Sequence, residues 1–512
     1  MKTVYSGGNV LTMESPEPEE AMLVEDGVIL SVGSADEVLE KTSGAALVKL
    51  GGKTLMPAFI DAHSHISSYA ISLSQAPLES AESFSDIIDI LSKFRDENGL
   101  QDGAWIIAKG YEHNRLREKK HPTGALLDAA FPNYKVALQH KSGHFGVFSS
   151  SALSALTMSG RDKDGYLEEN DFVEAAKKLP LPEPELLLSA FEKAQKKYAS
   201  YGIATAQEGM MVSQMLPLYR LLLSKKAFII DIVGYPQLEC GGEFRKAFPD
   251  SAGGYSSRFR LGGCKIILDG SPQGRTAWMK TPYIGSDENF GVSSMTDAEV
   301  SAAIEKSVKN GWQLLAHCNG DAAAEQFLRC AEGFCEREKF AALRPVMIHA
   351  QLLSPLQLPR LKRLGIIPSF FIAHCYHHGD THISNFGFRR AEKISPAADA
   401  LRLNTPFTFH QDSPVIEPDM LETVWCAANR ITRGGVLLGA GERIPVYDAL
   451  KAVTASAAFQ YGEEAAKGIL SAGRKADFII LSDNPLAVPA DKLRDIKVIK
   501  TYKSGKLVYN RE

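Results

Sequence analysis

The chain has 512 residues, 45% of them hydrophobic and 23% charged, with a formal net charge of −4; this is ordinary globular composition with ample material for a large core. No basic excess exists to neutralise phosphates, which argues against a nucleic-acid partner, and no apolar run reaches the roughly 18 residues of a membrane-crossing helix. Seven scattered cysteines without a CxxC pair argue against a disulfide framework or a cysteine zinc site and fit a reducing cytoplasm.

The first 55 residues read as short strands and turns: Asn9–Thr12, Ala21–Val24 and Val28–Val32, with Glu25-Asp26-Gly27 as a hairpin turn. In the middle of the chain, apolar runs recur at Leu55–Ile60, Gly202–Ala206, Phe228–Val233, Leu261–Leu268, Gln313–Ala316, Val346–Ile348, Gly365–Phe371 and Pro406–Phe409. Helical segments such as Asp297–Asn310, Ala322–Lys339 and Pro355–Leu364 lie between them. Apolar strands each followed by a helix predict a parallel sheet. Eight of them predict an α/β chain with a closed (β/α)8 TIM barrel over residues 56–466. Residues 66–200 are too many for one strand-to-helix connection. They hold their own strands (Ala104–Lys109, Lys135–His140) and helices (Phe84–Asn98, Glu183–Tyr201), and read as an inserted α/β lobe over the barrel mouth. Glu464–Lys467 reads as a solvated helix end. The last residues return to strands at Ala476–Leu481, Ile496–Tyr502 and Lys506–Tyr509, so 1–55 and 467–512 are expected to pair into one composite β-sandwich.

The strongest chemical signal is Pro57-Ala58-Phe59-Ile60-Asp61-Ala62-His63-Ser64-His65. A strand ends and two histidines follow, one residue apart, so both imidazoles reach one side and one metal ion. Lys265 lies inside the apolar run Leu261–Leu268, where an ammonium needs a partner. His317 ends Gln313–Ala316, His349 ends Pro345–Ile348, and Asp412 follows Phe407–Gln411. Any one of these alone reads as a satisfied core or turn residue. Together they fall at the C-terminal ends of strands one, four, five, six and eight, the face where barrel active sites form. Gln207 and Glu208 end strand two and are placed to orient the first ligands. His410 faces the same way as Asp412 from behind it, and Asp321 and Arg430 read as supporting residues. His113 and His144, in the lobe, either reach the pocket as substrate contacts or pack the lobe.

The whole pattern resembles the metal-dependent amidohydrolase superfamily, the group containing urease, dihydroorotase and phosphotriesterase. Several motifs resemble the branch that includes the N-substituted formamide deformylases and the exoenzyme regulatory protein AepA. They are Lys265 with Asp269-Gly270-Ser271, Arg275-Thr276-Ala277, His317-Cys318-Asn319-Gly320-Asp321, His349-Ala350-Gln351, Asp412-Ser413-Pro414-Val415 and Gly110-Tyr111-Glu112-His113. The resemblance covers nearly the whole chain. It implies a hydrolase of a small molecule, cleaving a non-peptide carbon–nitrogen bond of an amide, an N-formyl or N-acyl group, or a cyclic amide. It implies one or two divalent ions, Zn²⁺ by the donor types, on His63, His65, Lys265, His317, His349 and Asp412. In this scheme a metal-bound hydroxide attacks the carbonyl, with Asp412 as general base and then general acid. Lys265 becomes a carbamate (carboxylysine) bridging two ions, or else stays an ordinary lysine salt-bridged near Asp269. His374 contacts the substrate carbonyl or leaving group, while His377, His378 and His382 beside it are solvated. A homodimer is implied as well. Ester, lactone or phosphoester hydrolysis on the same site, and a non-catalytic regulatory protein that keeps the fold, are the alternatives.

Overall fold

The run Leu55–Ile60 is two strands, and its break decides how the two ends of the chain join the middle. In the computed structural model, which describes residues 2–40, 44–141, 145–180 and 182–511, Thr54–Pro57 pairs antiparallel with Phe478–Leu481. Phe59–Ile60 pairs instead with Ile203–Met211, in parallel. Pro57 has no N–H to give a ladder. After it, Ala58 N donates to Asp477 O at 3.0 Å and Phe59 N to Gly202 O at 2.9 Å. The chain thus leaves one sheet and enters the next within two residues.

The ends form one continuous eight-stranded sheet that runs from Lys506–Asn510 through Thr54–Pro57 to Lys2–Val10 and on to Val28–Gly33. A single apolar cluster draws on both ends, including Tyr5, Met22, Ile29, Leu55, Phe478 and Tyr502. The rings of Phe478 and Tyr502 stack at 4.4 Å. The two ends, expected to pair into one composite sandwich, are joined by hydrogen bonds in a single sheet.

The chain divides into two compact units, Met1–Ile66 with Gln195–Glu512, and Ser67–Ala194. In the first, the parallel strands follow in chain order: Phe59–Ile60, Ile203–Met211, Asp231–Pro236, Phe259–Leu261, and then Gly263–Ile267, Gln313–Cys318, Val346–His349, Ile367–Phe370 and Thr408–Phe409. The expected fourth strand is interrupted at Gly262, so the ladders form a four-stranded and a five-stranded run. Gly263 is required, because a Cβ there would fall 1.9 Å from Gln313 O. The gap is bridged where Leu238 N donates to Lys265 O at 3.1 Å. At the other edge, Asp412 N donates to His63 O at 3.0 Å and His65 N to Ser413 O at 2.8 Å. Ile60, Val233, Tyr235, Leu315, Val346 and Ile348 meet in one core cluster between these strands.

The helix Asp297–Asn310 forms as expected, held by a capping box of Thr296 and Glu299 and closed by Gly311 at φ 66°. The expected helix Ala322–Lys339 is two, Asp321–Gly333 and Arg337–Ala342, because Phe334 turns extended after Gly333. Lys467 departs from expectation. It is buried, with Nζ 2.8 Å from Asp231 Oδ2, while Glu464 pairs with Arg344 at 2.7 Å.

The Ser67–Ala194 unit has its own five-stranded sheet, with Trp105–Tyr111 parallel to Lys135–His140 at its centre. Ile87, Leu91, Ile106, Leu127, Val136 and Leu138 fill its core. No described helix is long and apolar enough to cross a membrane.

Candidate metal centre

The strand ends of the first unit bring together the residues singled out in the sequence. Lys265 Nζ donates to His63 Nε2 at 2.9 Å. Asp412 Oδ1 lies 3.5 Å from His63 Nε2 and 3.4 Å from His65 Nε2. His349 Nε2 stands 4.0 Å from Asp412 Oδ2 and 3.1 Å from His317 Nδ1. One converging group is His63, His349 and Asp412, with His65, Lys265 and His317 on its flanks. Lys265 makes no contact with Asp269. The Asp269 carboxylate instead accepts from the backbone N–H groups of Asn319, Gly320 and Trp278 at 2.7–3.0 Å, which fixes the loop after His317.

Supporting side chains set the rings. Gln207 Nε2 donates to Ala62 O at 2.8 Å, so its Oε1 must be the atom 2.5 Å from His63 Nδ1. Nδ1 then carries the proton and Nε2 presents its lone pair to the centre. Gly209 makes room for this ring, since a Cβ there would fall 2.4 Å from His63 Cε1. Glu208 Oε1 stands 3.7 Å from His65 Nδ1. His317 Nε2 is 3.2 Å from the Gly270 carbonyl, which only accepts. The same Nε2 lies 3.0 Å from Asn319 Nδ2, and His317 Nδ1 faces His349 Nε2 at 3.1 Å. Ser369 Oγ, His410 and His349 form a chain with steps of 2.9 and 3.2 Å, so His410 stands behind His349.

The electrostatics ask for a cation. Burial first, then Lys265 and neighbouring imidazoles, hold His63 well below the ordinary histidine value; burial and His317 do the same for His349. Both are neutral donors. Burial pulls Lys265 down to about 7. Burial pushes Asp412 up, but His65, His410 and Lys265 outweigh it and hold the carboxyl below its usual range. Burial opposes a charge on His65, yet Asp412 and Glu208 raise it to about 9. A positive charge is thus drawn into the space between two carboxylates. Among the described residues the buried Asp412 Oδ1 has no hydrogen-bond donor, an orphan that a bound ion explains. His349 and Asp412 also adopt left-handed backbone, at φ 71° and 53°, a cost that clusters at working sites. These donors fit a divalent ion.

Other expected residues fall elsewhere. His374 is buried, with the Phe371 ring between it and His410, 4.1 Å from the first and 5.3 Å from the second. Of its neighbours, His382 is not solvated but fully buried, with Nε2 3.4 Å from His374 Nδ1, while His377, half-buried, pairs with Glu422 at 2.7 Å. Apolar packing by Phe386, 5.7 Å from the His382 ring, is the reason. Arg430 is a buried clamp on the carbonyls of Leu438, Ser395 and Ile394. Asp321 opens the helix Asp321–Gly333 and accepts from Lys280 N at 2.8 Å. His113 belongs to the Ser67–Ala194 unit, where it contacts His140 and His121; His144 lies outside the described residues. Sequence reasoning missed Ser369, a lone polar residue in an apolar strand, and Tyr461, whose hydroxyl contacts Gln207 and Asp61 at 3.0 and 2.7 Å. Tyr461 left no local signal.

The profile described as the amidohydrolase family matches residues 46–509. The Bacillus subtilis protein YtcJ is 25% identical over 100% of both chains. N-substituted formamide deformylase of Arthrobacter pascens is 24% identical over 98% of this chain and 97% of its own. Among solved structures, an uncharacterized metal-dependent hydrolase from Pyrococcus furiosus has the same fold, with a TM-score of 0.82 at 24% identity, covering 95% of this chain and 100% of that one.

Proposed function

This chain belongs to the amidohydrolase family, and from that we propose that it hydrolyses a non-peptide carbon–nitrogen bond, in an amide, N-formyl, N-acyl or cyclic amide substrate, with a divalent ion at the strand ends. The observation that carries the reading is Asp412: a carboxylate facing three imidazoles, with an orphaned oxygen, on left-handed backbone. The eight parallel strands, joined edge to edge by Asp412, His63, His65 and Ser413, are taken as a closed (β/α)8 barrel with its working face at their C-terminal ends.

His63, His65, Lys265, His317, His349 and Asp412 hold the metal, and nitrogen with carboxylate donors favours Zn²⁺. When bound, such an ion polarises a carbonyl and makes a water acidic enough to react near neutral pH. Asp412 accepts the proton of the attacking water and delivers it to the leaving nitrogen. Gln207 keeps the His63 lone pair aimed inward. His374, neutral because burial and His382 hold its pKa well below the ordinary value, orients the substrate. Lys265, brought near 7 by burial, has the neutral amine that adds to CO2; a new N–C bond forms, one proton leaves, and the carbamate oxygens join the donor set.

The test is a panel of formamides, N-acyl amines, cyclic amides, esters and phosphoesters, run on metal-reconstituted protein and on Asp412→Asn. Turnover of an amide class that Asp412→Asn loses supports the reading. Turnover confined to esters or phosphoesters, or none with metal bound, overturns it.

A further inference from the structure

The Ser67–Ala194 unit carries a convergence of donors of its own. Strands Trp105–Tyr111 and Lys135–His140 run parallel, with Tyr111 and His140 as register partners at their C-terminal ends. That edge of a parallel sheet is where ligands bind in open α/β folds. The register shifts between Lys109 and Tyr111, around Gly110 at φ 89°. Such irregularities re-aim side chains beside functional sites. That left-handed φ is what favours glycine at the bend.

Beyond the bend, Glu112 Oε1, His113 Nδ1 and His140 Nε2 form a triangle. Its edges are 3.1 Å between the imidazoles, 3.4 Å from Glu112 to His140 and 3.6 Å from Glu112 to His113. Donors held at about 2.0–2.2 Å by one tetrahedral ion stand roughly 3.3–3.6 Å apart, so the spacing is that of three ligands, with no fourth protein ligand in this group among the described residues. Only the imidazole edge is a good hydrogen-bond length, and both carboxylate edges lie at or beyond the limit. Asn114 N and Nδ2 lie 3.4 Å from the same Glu112 Oε1, no closer than His140 Nε2. His121 stacks on His113 at 4.1 Å, with its Nδ1 3.0 Å from the Tyr111 hydroxyl. Phe145 lies 4.4 Å from the His140 ring. Both ligand rings are thereby held, while Glu112 and His113 side chains are 26% and 25% exposed and leave an entry for an ion.

We propose that Glu112, His113 and His140 form a separate divalent transition-metal site, suited to Zn²⁺, whose fourth position takes water or an external donor. His113 then serves this ion, in place of the substrate contact expected from sequence.

The full-length protein tests this directly. Crystals equilibrated with Zn²⁺ are expected to show an anomalous peak at the zinc edge within about 2.2 Å of all three donors. In solution, His113→Gln and Glu112→Gln, dialysed against buffered Zn²⁺, are each expected to hold about one equivalent less per chain than the unsubstituted protein. Both positions are partly exposed, and the crystal measurement needs no variant. A map with no peak between the three donors at saturating Zn²⁺ overturns the proposal, and so does unchanged stoichiometry in both variants. The map is resolved by position, so the result is independent of the ion at the barrel strand ends.

Discussion

At the start of the third parallel strand, the Asp231 carboxylate lies between two buried ammonium groups, 2.8 Å from Lys467 Nζ and 2.6 Å from Lys503 Nζ, with Arg258 at 3.3 Å. Lys503 also meets Asp477 at 2.6 Å, and Lys467 meets Glu463. At the opposite ends of the same set of strands, Asp412 faces His63 and His65 at 3.4–3.5 Å with one oxygen unmet. Both clusters are buried charge. The first matches every charge with a partner at contact distance; the second holds donors slightly too far apart and on strained backbone. Charges that meet at contact distance fix a structure, whereas charges held apart on strained backbone are arranged for something that arrives. On barrel-type folds the N-terminal face serves stability and the C-terminal face serves chemistry, and under the proposed function Asp231 and Asp412 stand for that division.

Two substitutions of the same kind break the comparison apart. Asp412→Asn keeps the volume and removes the proposed base, so kcat should fall by roughly two to four orders of magnitude. Metal content should fall less, since the imidazoles remain, and the melting temperature should hold or rise. Near wild-type kcat on a verified substrate would move the proton-transfer role to another group. Asp231→Asn should do the reverse. It strands Lys467 and Lys503, buried, with only Glu463 and Asp477 in compensation, and breaking such a buried pairing costs about 3–5 kcal/mol of stability. Urea midpoints measure the loss. Per folded molecule, kcat should stay close to wild type.

The two clusters were not equally legible. His63 and His65 stood out because alternation places i and i+2 on one side of a strand, and Lys265 because a charge interrupts an apolar run. Those are local signals, and the structure brings these residues to one place. The Lys467 network left none. Its partner Asp231 is 236 residues away, and a short polar stretch ending in lysine reads as solvated until that partner is known. The same limit applies to His382, whose burial depends on packing by its neighbours, and to Tyr461, which reaches Gln207 across 254 residues. The break at Pro57 was visible in principle, because proline cannot donate to a ladder. What sequence concealed was that both halves of the run would find partners in different sheets.

Gln207 sharpens the comparison at the site. It is uncharged and fully buried; its Nε2 is anchored on Ala62 O and the Tyr461 hydroxyl, and its Oε1 holds the His63 proton on Nδ1. Gln207→Ala should weaken metal affinity by about 10–100-fold, the usual effect of losing such a partner. Competition with a chelator of known affinity reads it. Unchanged affinity would mean that Tyr461 and the strand alone aim the ring.

The smallest effect is expected in acid, and it belongs to the Asp231 end alone. Burial pushes the Asp231 carboxyl up, but Lys503 and Lys467 pull harder and hold it well below the ordinary value of 3.8. A carboxyl depressed in the folded state adds stability that is complete above its unfolded value. That stability is lost as pH falls below 3.8 toward the folded value. Because the folded value lies so low, the reachable range loses only part of it, so this effect is smaller than that of the substitution. Urea unfolding of the metal-free protein between neutral pH and about 2 should therefore show a decline that steepens below the ordinary aspartate range. Asp231→Asn should start lower at neutral pH and decline less steeply in acid, since it has no proton to gain there. Parallel curves for the two proteins would mean that Asp231 is not ionised between its lysines, and that the N-terminal cluster is not the fully matched partner of the open one.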